Sequence, residues 1–436
     1  MNPLQFLPRF RAAQRALKEL ELHESWTRAQ IDEYQLARLN RLWSSAIENV
    51  PYYRGIALTH GLPKQFTSLS HFQTSVPLLD KNLVRSGQKD FLSEKAGKGE
   101  WHFSGGSTGT PASYFRSNES HLEILRGRYR AHTMWGVDMF DRWVFFWGHE
   151  ASFARGFPGF IARWKQPILD RLRSRLRLSA YCLGSESLRK HLQRISEFRP
   201  VAIYAYSTAA YLLAREAKAM KFHCPTLKVI VLTAEPVFPH IVEACEEAFG
   251  VPAVAEYGSA ETNTMAFEWP DRTLRVREDI FFMETPRRPD GRYDIVITVL
   301  NSDSFPFIRY SIGDVTDTPL QRPESGFAYL SNVAGRHQDL IISHSGQPLH
   351  ACWFEDLLEH EDAIRRYQVH QLASGNLKVT LELTGPDVSL HVSQLKQVLE
   401  EHVGFAVDIS TVDELPTTPA GKNRWITSEL AKKTLV

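Results

Sequence analysis

The positions of apolar and polar residues predict helix at the start of the chain and strands further on. Over residues 8–50, apolar side chains recur at intervals of three and four with charges between them, which is the pattern of amphipathic helix. Pro51 restricts the residues before it and is expected to end this run, with extended and turn segments following as far as Trp101. A helix is expected over residues 118–132, and the aromatic run WVFFWG (143–148) predicts a buried strand.

From Val201 onward, strand patterns alternate with helical patterns. The segments VAIYAY (201–206) and KVIVLTAE (228–235) have the character of buried strands, and helical stretches follow at 209–221 and 238–249. This alternation is typical of βαβ units, so we expect a parallel sheet covered by helices. The segment DIVITVL predicts another strand, in a region with a more antiparallel character.

The pattern changes again near Gly335, where a compact set of strands and helices begins. It comprises strand LIIS, helix WFEDLLEH, strands YQVHQLAS and LKVTLELT, and helix SQLKQVLEEH. We therefore expect the α/β fold class, with a large N-terminal α/β body of parallel sheets and helices over residues 1–334. A small C-terminal α+β lid domain is expected over residues 335–436.

Composition excludes several classes of protein. The 51 Lys and Arg residues balance 50 Asp and Glu residues, so the net charge of +1 favours neither nucleic acid nor a highly charged partner. Four widely spaced cysteines are expected to be buried thiols rather than disulfides or zinc ligands: Cys182, Cys224, Cys245 and Cys352. No apolar run has the length of a membrane span, and the charged N-terminus does not have the pattern of a signal peptide, so a cytoplasmic protein is expected.

The stretch FSGGSTGTP (103–111) is rich in glycine and hydroxyl groups and carries no charge. Such a loop suits polyphosphate, because backbone N–H and side-chain O–H groups can surround an anion closely. It is not a Walker loop, since no lysine follows and Pro111 stands in that region, and it lacks the GxGxxG spacing of a dinucleotide fold. Taken alone, the stretch fits a phosphate loop and a flexible surface loop equally well.

Four further segments follow in order: AEYGSAE (255–261), RYSIGD (309–314), GRHQDLI (335–341) and PTTPAGKNRW (416–425). Together with SGGSTGTP they resemble the signature motifs of the adenylate-forming superfamily, which includes acyl-CoA synthetases, carrier-protein adenylation domains and luciferases. The segments NVPYYR, VPLLDKNLV, RPVAIYAYSTAAYLLA and LTAEPV are similar to the phenylacetate–CoA ligase branch and its capsule-biosynthesis-type relatives. This resemblance implies an AMP-forming ligase that activates a carboxylic acid with ATP and passes the acyl group to a thiol such as CoA or a carrier protein.

The resemblance also implies roles for single residues in binding ATP. The β- and γ-phosphates would be held by the loop Ser104, Gly105, Gly106, Ser107, Thr108 and Gly109. The ring of Tyr257 would stack on adenine beside Gly258 and Ser259, and the carboxylate of Glu261 would coordinate Mg²⁺, a hard cation that prefers oxygen ligands.

Three more charged residues have implied roles. Asp314 would accept hydrogen bonds from both ribose hydroxyls, and Arg336 would lie near the ribose and phosphate. Lys422 would neutralise the α-phosphate as the carboxylate attacks, and it is the catalytic residue together with Glu261. Plainer alternatives exist for each: a solvated charge for Glu261, a turn residue for Asp314, a structural salt bridge for Arg336 and a terminal lysine for Lys422.

The acid pocket is expected along the segment that contains Tyr204, Tyr206 and Ser207 and along part of the region 143–149. The neighbouring residues assigned to the ATP site also border this pocket: Ala234, Glu235 and Pro236. An aromatic lining suits an aryl or flat acid, although core packing is the plainer role for such side chains. The basic segment 163–178 is expected to be a helix with a solvated face, or a contact for a membrane surface, a carrier protein or CoA phosphates.

Two positions depart from the superfamily pattern. Ala112 stands where a lysine often closes the phosphate loop, and Gln338 stands at the usual aspartate of the junction between domains. The neutral Gln338 leaves open whether a second, thioester-forming step occurs. Transfer of the acyl group to an amine or hydroxyl, in polysaccharide or secondary-metabolite synthesis, is therefore an alternative. A non-catalytic ATP-binding sensor or scaffold is an alternative of another class.

Overall fold

A computed structural model describes residues 21–103, 113–138, 140–147, 169–180, 183, 185–333, 341–346, 348–349, 354, 357–358, 361, 363–384, 392–415 and 426–430. By its internal contacts the chain divides into two compact units, Met1–Val333 and Ala334–Val436. Each unit is described by itself.

Helices of the first unit lie before, between and beside its strands. They are α1 (Arg28–Asn49), α2 (Pro51–Thr59), α3 (Leu69–Ser75), α4 (Lys81–Ser86), α5 (Asn118–Thr133), α6 (Ser185–Phe198), α7 (Ser207–Ala219) and α8 (Pro239–Phe249). The predictions for α5, α7 and α8 are confirmed to within a few residues at each end.

The N-terminal helices correct two predictions. The expected helix over residues 8–50 is interrupted, because Thr27 and Gln30 form a capping box that starts α1 afresh. Pro51 does not introduce an extended region. It is the first residue of α2, where its missing N–H is not needed, and Val50 is the single extended residue between the two helices. Helices α2, α3 and α4 occupy the region that was expected to lack helix.

The strands of the first unit form a hairpin and two larger sheets. They are β1 (Gly99–Phe103), β2 (Ser113–Ser117), β3 (Trp143–Trp147), β4 (Arg175–Ser179), β5 (Ala202–Tyr206), β6 (Val229–Thr233), β7 (Ala253–Ser259), β8 (Asn263–Glu268), β9 (Leu274–Val276), β10 (Phe281–Glu284), β11 (Tyr293–Val299), β12 (Tyr310–Thr316) and β13 (Tyr329–Leu330).

The central sheet has eight strands in the order β13-β9-β8-β7-β6-β5-β3-β4. Strands β4, β3, β5, β6 and β7 run parallel, and β8, β9 and β13 continue the sheet antiparallel. The side chains of Trp143, Tyr204, Val231 and Phe267 share one face, on which Ala131 of α5 packs. This sheet confirms the predicted α/β class with parallel strands and covering helices.

A second sheet, β10-β11-β12, is antiparallel, as the pattern of DIVITVL predicts. Its apolar side chains, among them Phe281 and Ile297, share one core with Leu39 and Trp43 of α1. The N-terminal helices therefore form part of the main body and do not stand apart from it.

The prediction of a helix over the basic segment 163–178 is only partly correct. In the part that the structure describes, residues 169–172 are helical and a strand begins at Arg175. Arg175–Ser179 is an edge strand of the central sheet, paired in parallel with β3. Arginine and leucine alternate here with a period of two, and Leu178 is fully buried. The pattern that suggested a helical face is therefore that of a half-buried edge strand.

The helix of the second unit whose bounds the structure gives is α9 (Val392–Val403), and residues 354, 357 and 358 are also helical. Its strands are β14 (Ile341–Ile342), β15 (Pro348–Leu349), β16 (Ile364–Gln371), β17 (Leu377–Leu383), β18 (Val407–Val412) and β19 (Ile426–Ser428). Four strands form a sheet in the order β18-β17-β16-β19. The buried amide of Gln371 exchanges hydrogen bonds with the backbone of Ile342 and so ties β14 to this sheet. Most of the expected helix WFEDLLEH lies outside the described residues.

Two further expectations concern cysteines and membranes. Cys224 and Cys245 are buried free thiols, as predicted, while Cys182 and Cys352 lie outside the described residues. Within the part of the chain that the structure describes, none of the helices has the length and apolar character needed to cross a membrane.

Candidate active site

Glu261 lies in the tight turn between β7 and β8, and its side chain is only 4% exposed. Lys81 Nζ is 2.7 Å from its Oε1, and the Tyr310 hydroxyl donates a hydrogen bond of 3.2 Å to the same oxygen. Burial raises the pKa of Glu261, but the charge and hydrogen bond of Lys81 outweigh it and leave the pKa below its usual value. The interpretation of Glu261 as a solvated surface charge is therefore wrong.

Lys81 reaches Glu261 because the segment before it is fixed against β12. Leu79 donates its N–H to the carbonyl of Arg309 (2.8 Å) and accepts from the N–H of Ser311 (2.9 Å), as in a parallel bridge. The Arg309 guanidinium donates to the carbonyl of Val76 and makes two bonds, of 2.9 and 3.1 Å, to the buried carboxylate of Glu284. The motif RYSIGD thus begins with a residue that positions Lys81.

The glycine-rich loop connects the two strands of the hairpin β1–β2. Phe103, the last residue of β1, pairs with Ser113, the first residue of β2. Beyond that pair, Tyr114 and Arg116 both donate to the carbonyl of Ala260, and Arg116 also donates to the carbonyl of Glu261 (3.2 Å). The two ends of the loop are therefore held beside the turn that carries Glu261.

Gly258 and Ser259 shape this turn. A Cβ on Gly258 would lie 2.3 Å from the carbonyl oxygen of Asn263, at a point where the β7–β8 register shifts, so only glycine fits. The hydroxyl of Ser259 accepts from the N–H of Thr262 (3.2 Å) and contacts its hydroxyl (2.9 Å). Both residues were predicted to bind ATP, and both are needed to form the turn.

Tyr257 and Asp314 meet across the two sheets. The Tyr257 hydroxyl on β7 donates a hydrogen bond of 2.9 Å to Oδ2 of Asp314 on β12. Together with the contact of Tyr310 with Glu261, this gives two links between the same pair of elements, four residues apart on each. The residues predicted for adenine, ribose and metal therefore lie side by side.

The end of β6 carries the predicted residues Ala234, Glu235 and Pro236. Ala234 adopts a left-handed conformation with φ of 68°, which turns the chain so that Glu235 Oε2 accepts from the N–H of Thr208 (2.9 Å) at the start of α7. A carboxylate at this helix N-terminus is favourable. Glu235 thus has a structural role at the N-terminus of α7, besides the role in the ATP site that was predicted for it.

Tyr204, Tyr206 and Ser207 are all buried, and they lie in the middle of β5, at its carboxyl end and at the start of α7, respectively. Trp147 on β3 packs against both tyrosines, with ring centroids 5.5 Å from Tyr204 and 4.0 Å from Tyr206. The Tyr204 hydroxyl donates a 2.5 Å hydrogen bond to Oε1 of Glu256, a buried residue. An aromatic surface with a polar end therefore lies next to the nucleotide motifs.

The remaining predicted site residues lie outside the described residues. They are Ser104, Gly105, Gly106, Ser107, Thr108, Gly109, Arg336 and Lys422.

Sequence reasoning missed Lys81 and the polar group around Glu256. The segment VPLLDKNLV served only as a marker of resemblance, although a lysine just after an apolar run and an aspartate was a visible signal. Glu256, a charge within a buried strand next to Tyr257, was the corresponding signal for the second group.

The chain is similar to known proteins over most of its length. No family model matches the chain. "Protein CapK" of Staphylococcus aureus is 20% identical over 407 residues, which is 90% of this chain and 88% of that protein. "Phenylacetate-coenzyme A ligase" of Escherichia coli (strain K12) is 24% identical and covers 88% of this chain and 92% of its own length.

The chain is also similar to a solved structure of 2-hydroxyisobutyryl-CoA ligase in the postadenylation state, in complex with R3-HIB-AMP. The match covers 93% of this chain and 91% of that chain. The TM-score is 0.73 and the sequence identity is 18%. This likeness shows that the chain has the fold of that ligase over most of its length. Over most of its length the chain is similar to ligases of the phenylacetate–CoA type and to Protein CapK.

Proposed function

We propose that this protein joins a carboxylic acid to AMP at the expense of ATP, with release of pyrophosphate, and then transfers the acyl group to the thiol of CoA. The observation that carries the proposal is a pair of links to β12, from Tyr257 on β7 to Asp314 and from Glu261 in the turn after β7 to Tyr310, beside the ends of the glycine-rich loop. This arrangement offers neighbouring contacts for a base, a ribose and a polyphosphate.

In the first step a substrate carboxylate oxygen attacks the α-phosphorus of ATP, and the bond to the bridging oxygen of pyrophosphate breaks. The Tyr257 ring would contact adenine, and Asp314 would accept from the ribose hydroxyls. The loop from Ser104 to Gly109 would surround the β- and γ-phosphates. Ala234 and Pro236 would border the nucleotide at the end of β6.

The residues around Glu261 fit a magnesium ion that arrives with its nucleotide. Among the described residues, no three His, Cys, Asp or Glu side chains are grouped to hold a metal on their own. One carboxylate plus phosphate oxygens and water is the usual Mg²⁺ environment in such sites. Bound Mg²⁺ would neutralise phosphate charge, and Lys81 would have to release Oε1 of Glu261 as the nucleotide entered.

The second unit would act as a mobile lid domain, with a boundary at residues 334–335. Arg336 would lie near the ribose, and Lys422 would donate to the α-phosphate as negative charge builds there in the transition state. These roles rest on the resemblance of GRHQDLI and PTTPAGKNRW to the superfamily motifs.

In the second step the CoA thiolate would attack the acyl carbonyl and AMP would leave. Two ligases named for CoA thioesters support this acceptor through their sequence similarity over most of the chain. Transfer to an amine or hydroxyl is a second candidate, because the neutral Gln338 replaces the usual aspartate at the junction.

The experiment that tests the acceptor compares CoA with amine and sugar acceptors in one assay. The purified protein is supplied with ATP, Mg²⁺ and a panel of acids, and AMP and acyl products are quantified by mass spectrometry. We expect AMP and acyl-CoA to form in equal amounts. Acyl-AMP that accumulates with CoA but is consumed by an amine or hydroxyl would favour the second candidate.

A further inference from the structure

A buried polar cluster lies at the inner end of the aromatic surface described above. It consists of Arg128 and His132, one turn apart on α5, and Glu256 and Tyr204 on the sheet. The Arg128 guanidinium carbon lies 4.2 Å from the centroid of the Tyr204 ring, and its Nε is 3.4 Å from Oε2 of Glu256. We call these four residues the inner cluster.

The inner cluster has unused hydrogen-bonding capacity. Arg128 Nε, both ring nitrogens of His132 and Oε2 of Glu256 are buried and make no hydrogen bond to any described residue. The nearest approach of His132 to Glu256, from Nε2 to Oε2, is 3.6 Å. Buried polar atoms without partners are costly, so donors and an acceptor together at one point indicate a site for a polar group.

The charges of the inner cluster decide what kind of group it accepts. Burial raises the pKa of Glu256, but Arg128, His132 and Tyr204 lower it to about 2, so the carboxylate is ionised. Burial lowers the pKa of His132, which favours the neutral ring. The positive charge of Arg128 and the negative charge of Glu256 therefore cancel. A second carboxylate on the substrate would bring an unpaired buried charge, whereas a neutral hydroxyl both donates and accepts.

The depth of the inner cluster sets the length of the substrate. Tyr204 lies two residues, or about 7 Å, further into the sheet than Tyr206 on the same strand face. Trp147 stacks on Tyr204 and packs at a tilt against Tyr206, so this part of the wall is aromatic. A flat ring lying along this wall, with its carboxylate near the end of β5, would bring its para position to the inner cluster.

We propose that the acid is an aryl acid with a para hydroxyl group, which donates to Oε2 of Glu256 and accepts from Arg128 or His132. This inference rests on the proposed function, because it places the substrate of that reaction. The plainer role of the inner cluster is to hold α5 against the sheet.

The experiment measures pyrophosphate exchange with matched acids that differ only at the para position. The panel contains phenylacetic and benzoic acids with a para hydroxyl or a para methyl group, and short aliphatic acids. A site that hydrogen-bonds a hydroxyl rejects the analogue without it strongly, so we expect kcat/KM to favour hydroxyl over methyl by about 100-fold or more. Equal or better use of the methyl acids, or activity with aliphatic acids alone, overturns the inference and leaves the proposed function standing.

Variants separate recognition from folding. Glu256→Gln and His132→Phe are expected to reduce the hydroxyl preference to below about 10-fold. Arg130→Lys is the matched control, since Arg130 lies two residues along α5 and pairs with Glu24 instead. It should keep the full preference. Loss of stability in the two cluster variants with an unchanged preference would assign the inner cluster to structure and overturn the inference.

A binding measurement covers the case in which exchange is silent. Non-hydrolysable acyl sulfamates of adenosine that carry the same para groups are titrated by calorimetry. We expect the hydroxyl form to bind about 100-fold more tightly than the methyl form. Binding of neither form, together with no exchange for any acid, would overturn both the proposed function and this inference.

Discussion

The hydroxyl of Tyr257 donates a 2.9 Å hydrogen bond to the carboxylate of Asp314. The two residues come from separate motifs and separate sheets, so this bond joins the central sheet to β12 at the predicted nucleotide site.

The first prediction concerns the ribose contact of Asp314. Asp314→Ala should raise the KM for ATP in pyrophosphate exchange by about 10- to 100-fold, because a charge-assisted contact to the ribose is lost. Tyr257→Phe keeps the ring for adenine and should have less than about a fifth of that effect. Replacing ATP by 2′-deoxy-ATP should weaken the natural protein but change Asp314→Ala little. An equal loss in both proteins would contradict the ribose role.

The second prediction concerns the pair Lys81–Glu261. Lys81→Met leaves a buried carboxylate without its cation and should lower the free energy of unfolding by about 3 kcal/mol. In the double variant with Glu261→Gln, part of this loss should be recovered, which urea unfolding measures as a coupling of at least about 1 kcal/mol. Lys95→Met is the control. Its partner Glu48 is 3.5 Å away and both side chains are 70% exposed, so the change should stay below about 0.5 kcal/mol. If the losses of the two single variants simply added in the double variant, the pairing of Lys81 with Glu261 would be contradicted.

The third prediction is a pH dependence of stability from Glu24. Burial is the main cause that raises its pKa from 4.5 to about 7, and Asp279 and Glu21 add to it while Arg130 opposes it. The folded state then binds more protons than the unfolded state between these values, so stability falls as the pH rises from about 4.5 to 7. Against Glu24→Gln, the natural protein should lose about 2 kcal/mol of relative stability over this range, as denaturant titrations at several pH values would show. If stability changed with pH in the same way in both proteins, a raised pKa of Glu24 would be excluded.

The fourth prediction uses two helical glycines. A Cβ at Gly127 would meet the guanidinium of Arg277 at 1.4 Å, and this guanidinium pairs with Asp279 at 2.9 Å. Gly127→Ala should therefore lower the free energy of unfolding by about 2 kcal/mol, despite the better helix propensity of alanine. Gly55→Ala, with open space around its Cβ, should raise stability by about 0.5 to 1 kcal/mol. If both substitutions changed the free energy of unfolding in the same direction, the packing of Arg277 against Gly127 would be contradicted.

Much of the fold follows from local pattern. The buried strands around Tyr204 and Val231 are apolar runs flanked by helical periodicity, which is the local signal of a parallel βαβ sheet. Pro51 was misjudged because proline, which ends a helix through its missing N–H and its clash with the preceding turn, also favours the first position of the next helix. The strand at Arg175 was missed because charged residues on its outer face hid the period of two.

Site residues could be predicted from the sequence where a short motif contains them. They could not be predicted where their position depends on contacts with distant parts of the chain. Tyr257, Glu261 and Asp314 were found by motif. Lys81 was not, because its position depends on backbone bonds between Leu79 and β12 that no local pattern encodes. Arg128 likewise looks like an ordinary helical charge until the fold brings Glu256 beneath it.

The measurement that tests the central claim most directly is pyrophosphate exchange into ATP, with Lys422→Ala and Glu261→Ala beside the natural protein. We expect exchange that requires one class of carboxylic acid. It should fall by about 100-fold or more in both variants, because each removes charge stabilisation from the reacting phosphates. Exchange that both variants retain in full would contradict the assignment of these residues. A natural protein that binds ATP and exchanges no pyrophosphate with any acid would contradict adenylate formation itself and favour a non-catalytic ATP-binding protein.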